Sequence, residues 1–82
     1  MKILKTHRFA LGEIGFEIDK WPDVKDTLDF HTWRYSNNID QYVRLGHMMV
    51  EFDTNLSKRI PLIVVESTNP DPICTLCILK WG

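Results

Sequence analysis

Cys74 and Cys77 enclose Thr75 and Leu76, a spacing shared by zinc ligands and dithiol redox centres. Redox chemistry requires the first thiol at a helix N-terminus, where the dipole favours thiolate. Only five residues follow Cys77, too few for that helix. Zinc requires the pair on a tight turn and two further ligands. The run Ile73-Cys74-Thr75-Leu76-Cys77-Ile78-Leu79 reads instead as extended, and strand residues three apart point to opposite faces. No two of the three histidines stand at the paired spacing of about four or five residues. The expectation is two buried, reduced thiols that hold no metal and serve packing.

A denser set of chemical groups lies at Phe30-His31-Thr32-Trp33-Arg34-Tyr35-Ser36-Asn37-Asn38, followed by Tyr42, Arg44 and His47. Flat rings, guanidinium forks and amide donors serve protein-interface hot spots and readers of single-stranded RNA. His31, Trp33, Arg34, Tyr35, Tyr42 and Arg44 are therefore the candidate partner-binding residues. The plainer reading puts Trp33 and Tyr35 in the core and leaves both arginines as solvated neighbours.

Other titratable groups point less clearly to a site. His7 lies on the expected apolar face of a hairpin, where a single histidine usually serves packing. Glu13, Glu17, Asp19, Asp23, Asp26 and Asp29 are diluted by Lys20 and Lys25 and read as a solvated face. There is no Gly-rich phosphate loop, no Gly-x-Ser-x-Gly and no His-Glu-x-x-His. A small ribonuclease needs a basic groove, which near-zero net charge does not supply. The chain is expected to be non-enzymatic and to carry neither cofactor nor metal.

The elements that must position these residues can be read from periodicity. Glu13 to Asp19 alternates polar and apolar, as a strand does, and Ile3 to Phe9 is compatible with its hairpin partner. Pairing Ala10 with Glu13 across Leu11-Gly12 sets Phe9 opposite Ile14 and His7 opposite Phe16. Pro22 and Asp23 mark a helix start. Val24, Leu28, His31 and Tyr35 form one stripe of a helix from about 22 to between 29 and 35. Phe30 to Ser36 also fits a strand, with Asn37-Asn38 as a tight turn.

A break near Gly46-His47 and a strand from about 47 to 53 are expected next. A polar loop spans Asp53 to Arg59. Ile60 to Ser67 is a strand, with Pro61 near its start suggesting an edge position or a strand beginning, and Thr68 to Pro72 is a turn. Ile73 to Trp81 is expected as a last, central strand. The fold class is α+β: an antiparallel sheet of about five strands, an N-terminal hairpin plus C-terminal strands, packed on one or two helices. An all-β open barrel is the alternative.

The 82 residues suit a single domain, 1–82, with no repeat or linker. Ten basic against eleven acidic residues give a net charge of -1, unlike a duplex-DNA binder or a DNA mimic. Trp21, Trp33, Trp81 and the four phenylalanines are expected to fill the core. No apolar run reaches the roughly 20 residues that span a bilayer. Thr6, His7 and Arg8 interrupt any signal-peptide core, so the expected location is cytoplasmic. The functional expectation is a small protein-interaction module, an inhibitor or adaptor, with another protein as partner and no membrane. A single-stranded nucleic-acid binder using the same patch is the alternative. A homodimer and a monomer stand on equal footing. The uncharged stretch Leu62 to Val65 is the expected pairing border, with Pro61 and Lys58-Arg59 guarding its start.

Overall fold

Two antiparallel strand pairs, each followed by a helix, make up the fold. β1 (Ile3–Ala10) and β2 (Glu13–Ile18) precede α1 (Val24–Ser36), and β3 (Val43–Glu51) and β4 (Ser57–Glu66) precede α2 (Asp71–Trp81). The structure, a computed structural model, describes residues 1–51 and 56–82. One sheet in the order β1-β2-β4-β3 joins the strands. The α+β class stands, with four strands rather than five among the described residues, and two helices exclude the barrel. The expected end of the third strand at Phe52-Asp53 and the start of the polar loop lie outside the described residues. Ser57 to Arg59, expected as loop, belongs to β4.

In the first hairpin Ala10 does pair with Glu13, across a turn where Gly12 holds φ +79°. A register shift between Arg8 and Ala10 then moves the pairs from Arg8 back to Lys5 by one residue, and a second shift between Lys5 and Ile3 adds another. Arg8 faces Ile14, Thr6 faces Phe16 and His7 faces Gly15. Phe9 and His7 therefore sit on the sheet face away from the helices, where their rings stack at 5.8 Å. Gly15 makes room for this, because a β-carbon there would stand 2.4 Å from the Phe9 ring.

α1 starts on a capping box. The Asp23 carboxylate accepts from the Asp26 N–H at 2.8 Å, and Asp26 accepts from the Asp23 N–H at 3.3 Å. Its end at Ser36 is closed by Asn37 as the C-cap and by Asn38 at φ 56°, with the Asn38 N–H on Tyr35 O and the Ile39 N–H on Arg34 O. Asn37-Asn38 is thus a helix terminus, and Phe30 to Ser36 is helical rather than extended. The buried side of α1 is centred on Phe30. The expected helical stripe does not face the core: Val24, Leu28 and Tyr35 are exposed, and His31 is half-buried.

Ile73 to Trp81 is the helix α2, not a strand. Pro72 occupies its first turn, and Ile73, Cys77 and Trp81 recur every four residues as its buried line. The core joins them to Ile14, Phe16, Ile18, Phe30, Ile39, Val43, Ile63 and Val65. Trp21 and Phe9, expected inside, are exposed.

β4 is interior, paired to β2 on one side and β3 on the other, so it is not a border strand. Hydrogen-bond direction explains how it tolerates Pro61. The Glu66 N–H points to β3, at Tyr42 O, and the Ser67 N–H points to β2, at Gly12 O. Alternation aims the missing Pro61 N–H at β2, whose ladder stops at Leu62. β3 runs unbroken through Gly46, where a break was expected, and β1 and β3 are the borders.

Candidate functional site

The six candidate residues divide into two groups. Trp33 is half-buried between the helices, its ring 4.5 Å from that of Trp81 and 6.0 Å from that of Phe30. Arg34 is a fastener. Its Nη1 donates to Asp40 O at 3.0 Å and Val43 O at 2.9 Å, and its Nε donates to His31 Nδ1 at 3.0 Å. The guanidinium also lies 5.7 Å from the Phe30 ring centre and 5.3 Å from that of Tyr35. This ties the end of α1 to the start of β3, and it fixes His31 with Nδ1 as an acceptor. Tyr35, Tyr42 and Arg44 are exposed, and Arg44 pairs with Glu66. The sequence patch is therefore not one surface.

A different surface forms where α1 meets β3. Arg34 and Thr27 face β3, and Thr27 shares a concavity of about 260 Å3 with Trp21, Pro22, Leu45, Gly46 and His47. One step further round the helix lie Val24, Leu28, His31 and Tyr35. They are turned away from α2, which meets α1 through the Lys80–Asp29 ion pair and the Trp33–Trp81 contact. Val24 is 79% exposed, Leu28 63% and Tyr35 60%. Trp21 lies exposed beside His47, and Met49 is exposed further along β3.

The backbone of this border is also open. Because Tyr42 bonds to β4 through its carbonyl, alternation turns the N–H and C=O of Val43, Leu45, His47 and Met49 outward. Val43 is the exception in being satisfied, its N–H on Ile39 O and its C=O on Arg34. Of these border residues, His31, Arg34 and Tyr35 belong to the candidate set expected from the sequence. Val24 and Leu28 are visible in the sequence as a helical stripe, a pattern that does not by itself distinguish a buried side from an open one.

The remaining features offer little catalytic chemistry. The concavity of about 570 Å3 at the first hairpin turn is lined by residues 10–13 and 66–68, including Glu13 and Glu66. His7 Nε2 is buried 3.5 Å from Glu17 Oε2 without a hydrogen-bond partner among the described residues. Among the described residues no group of three or more His, Cys, Asp or Glu is placed to hold a metal. Cys74 and Cys77 are free thiols, the first half-buried and the second buried. They lie on neighbouring turns of α2, so the strand argument that separated them does not apply. Cys74 does stand in the first turns of a helix, yet burial and the nearby Asp71 carboxylate raise its thiol above the ordinary value. Burial, with the Cys74 thiol beside it, pushes Cys77 up to about 12. Neither is an activated nucleophile.

No helix among the described residues is long and apolar enough to cross a membrane. Comparison with protein-family models, with curated proteins and with solved structures finds no match.

Proposed function

We propose that the chain is a non-enzymatic protein-interaction module of the cytosol, acting as an inhibitor or adaptor through the α1–β3 border. One observation carries the reading: an unpaired strand edge runs beside a helix flank whose apolar side chains point into solvent. Each half alone is ordinary. Together they supply backbone hydrogen bonds for affinity and apolar anchors for specificity, the two components of strand addition. Contiguous apolar surface of this kind marks an interaction site on a soluble protein. The free thiols suit a reducing compartment.

The single-stranded nucleic-acid reading draws less support. Trp33 and Arg34 are engaged inside the molecule, and Arg44 already has Glu66 as its partner. A capture experiment from native lysate tests the choice, with nuclease-treated and untreated arms and the variant Leu28→Lys beside the native chain. A partner that survives nuclease and is lost with Leu28→Lys is the expected result. Capture unchanged by the substitution removes the border from the function. Capture lost on nuclease treatment, and weakened steeply by salt, returns the function to nucleic acid.

A further inference from the structure

The α1–β3 border suits one partner in particular. Resting on the reading of that border as a protein-binding surface, we propose that its occupant is a second copy of this chain, with β3 paired antiparallel to β3 about a two-fold axis at His47.

The two sheet borders differ in how well they accept a strand. β1 is interrupted by register shifts at both ends and presents Lys5, Thr6 and Arg8 as exposed polar residues. Bulges and charges of this kind block edge pairing. β3 pairs with β4 in unbroken register from Val43 to Glu51, and its outward groups at Leu45, His47 and Met49 carry no such guard. An antiparallel strand is self-complementary: two copies related by a two-fold axis present matching donors and acceptors.

Charge selects the second copy and the register. With His47 opposite its own equivalent, Leu45 faces Met49 of the other copy and both copies turn the same face to the helices. Val43 then faces Glu51 of the other copy. Val43 O is the carbonyl that Arg34 holds, so the Glu51 carboxylate arrives beside a half-buried guanidinium. Among the described residues neither Arg34 nor Glu51 has an ion-pair partner within its own chain. The symmetry satisfies both charges twice. The exposed flanks of α1 at Val24, Leu28 and Tyr35 are brought to the same side of the joined sheet, where they cover the new strand pair.

The test is the solution mass of the full chain by light scattering, with amide hydrogen exchange on the same sample. The native chain is expected to be a dimer with protected amides at Leu45, His47 and Met49. His47→Pro removes an outward N–H without touching a bond to β4, so a folded monomer is expected. Glu51→Lys is expected to weaken the dimer and to deepen its salt dependence. Should His47→Pro not fold, Met49→Lys puts a charge at the same border and decides in its place. A native monomer at high concentration, or a dimer that persists in these variants with the three amides unprotected, overturns the proposal. Lysate capture separates the two readings. A monomer that still loses a partner with Leu28→Lys keeps the border as a binding surface for another protein. A monomer that captures nothing ends both.

Discussion

α1 has an aromatic boundary on each flank, and they have opposite fates. Toward α2, Phe30 and Trp33 meet Trp81 and are shielded. Toward β3, Val24, Leu28 and Tyr35 lie open, and Trp21, ahead of the helix, is also exposed. The residue types are equally apolar on both flanks. The difference lies in what stands opposite. A second helix closes the first flank, whereas the second flank looks past the last strand of the sheet into solvent. Apolarity alone therefore does not identify the core of this molecule; the topology of the neighbours does.

The largest effect that can break this comparison is a paired truncation. Phe30 is fully buried, so Phe30→Ala removes a ring from a packed site and is expected to cost about 3–5 kcal/mol in denaturant unfolding. Leu28→Ala, two residues away and measured at high dilution, is expected to change stability by less than about 0.5 kcal/mol. Similar costs for the two would mean that the open flank is packed in the native protein, and the contrast would fail.

Arg34 stitches the open flank to the sheet and gives the next largest effect. Arg34→Met keeps much of the stem but leaves the Asp40 and Val43 carbonyls and His31 Nδ1 without their donor. The expected cost is about 1–3 kcal/mol, with faster amide exchange from Ile39 to Val43 and little change around Trp81. Arg34→Lys should not restore it, because one ammonium cannot reproduce the guanidinium fork. Loosening centred on α2 instead would show that the two flanks are not independent.

How much of this was legible in the sequence follows from the same contrast. β2 was plain, because its buried residues Ile14, Phe16 and Ile18 alternate with Glu13 and Glu17. The start of α1 was plain from Pro22 and Asp23. Which side of α1 is buried was not, because its inward side includes two polar residues: Thr27, whose hydroxyl donates to Asp23 O one turn back, and Arg34, whose guanidinium donates to Asp40 O and Val43 O beyond the helix. An apolar stripe of correct period existed on the wrong side. In α2 the exposed Ile78 and Leu79 filled the gaps between Ile73, Cys77 and Trp81, and the run then resembled a buried strand. Pro61 suggested a border, since a sequence does not show the direction in which a strand's missing N–H would point. Of the candidate residues, aromatic and Arg content found the right neighbourhood. It did not distinguish Trp33 and Arg34, which hold the fold, from Tyr35, which faces out.

The α2 side can be probed through its thiols. Burial raises Cys77 from 9.0 to about 12, so the group stays protonated in the folded chain while the unfolded chain ionises. The unfolded state then binds fewer protons between those values, and stability falls as pH rises through that window. Below 9.0 the contribution is fully present and flat. Cys77→Ala should lower stability at neutral pH yet flatten the alkaline limb, read by denaturant midpoints across pH 8 to 11. Native-state alkylation should be slow at both cysteines and slower at Cys77. Rapid labelling of Cys77 in folded protein would show that the shielded flank opens readily, which contradicts its assignment as core.

The smallest effect belongs to the first turn of α1, which carries Val24 on the open flank. The Asp26 N–H holds the Asp23 carboxyl below its ordinary value, with desolvation opposing it and the Lys20 charge assisting. A lowered carboxyl stabilises the fold above its unfolded value of 3.8, and the contribution is lost as pH falls through the folded value. Acidification should therefore fray residues 23–27 first, while the Trp33–Trp81 contact persists. Asp23→Asn keeps a capping oxygen but does not titrate, so it should match the native chain at neutral pH and lose this acid-specific fraying. Residue-resolved amide exchange at pH 3 and pH 6 reads the difference. Fraying that is unchanged by Asp23→Asn would mean that the Asp23 cap is not the source of the acid sensitivity. Fraying that reaches Trp33 together with Asp26 would mean that α1 melts as one unit. Its two flanks would then share a single stability, and the open flank would be no more mobile than the closed one.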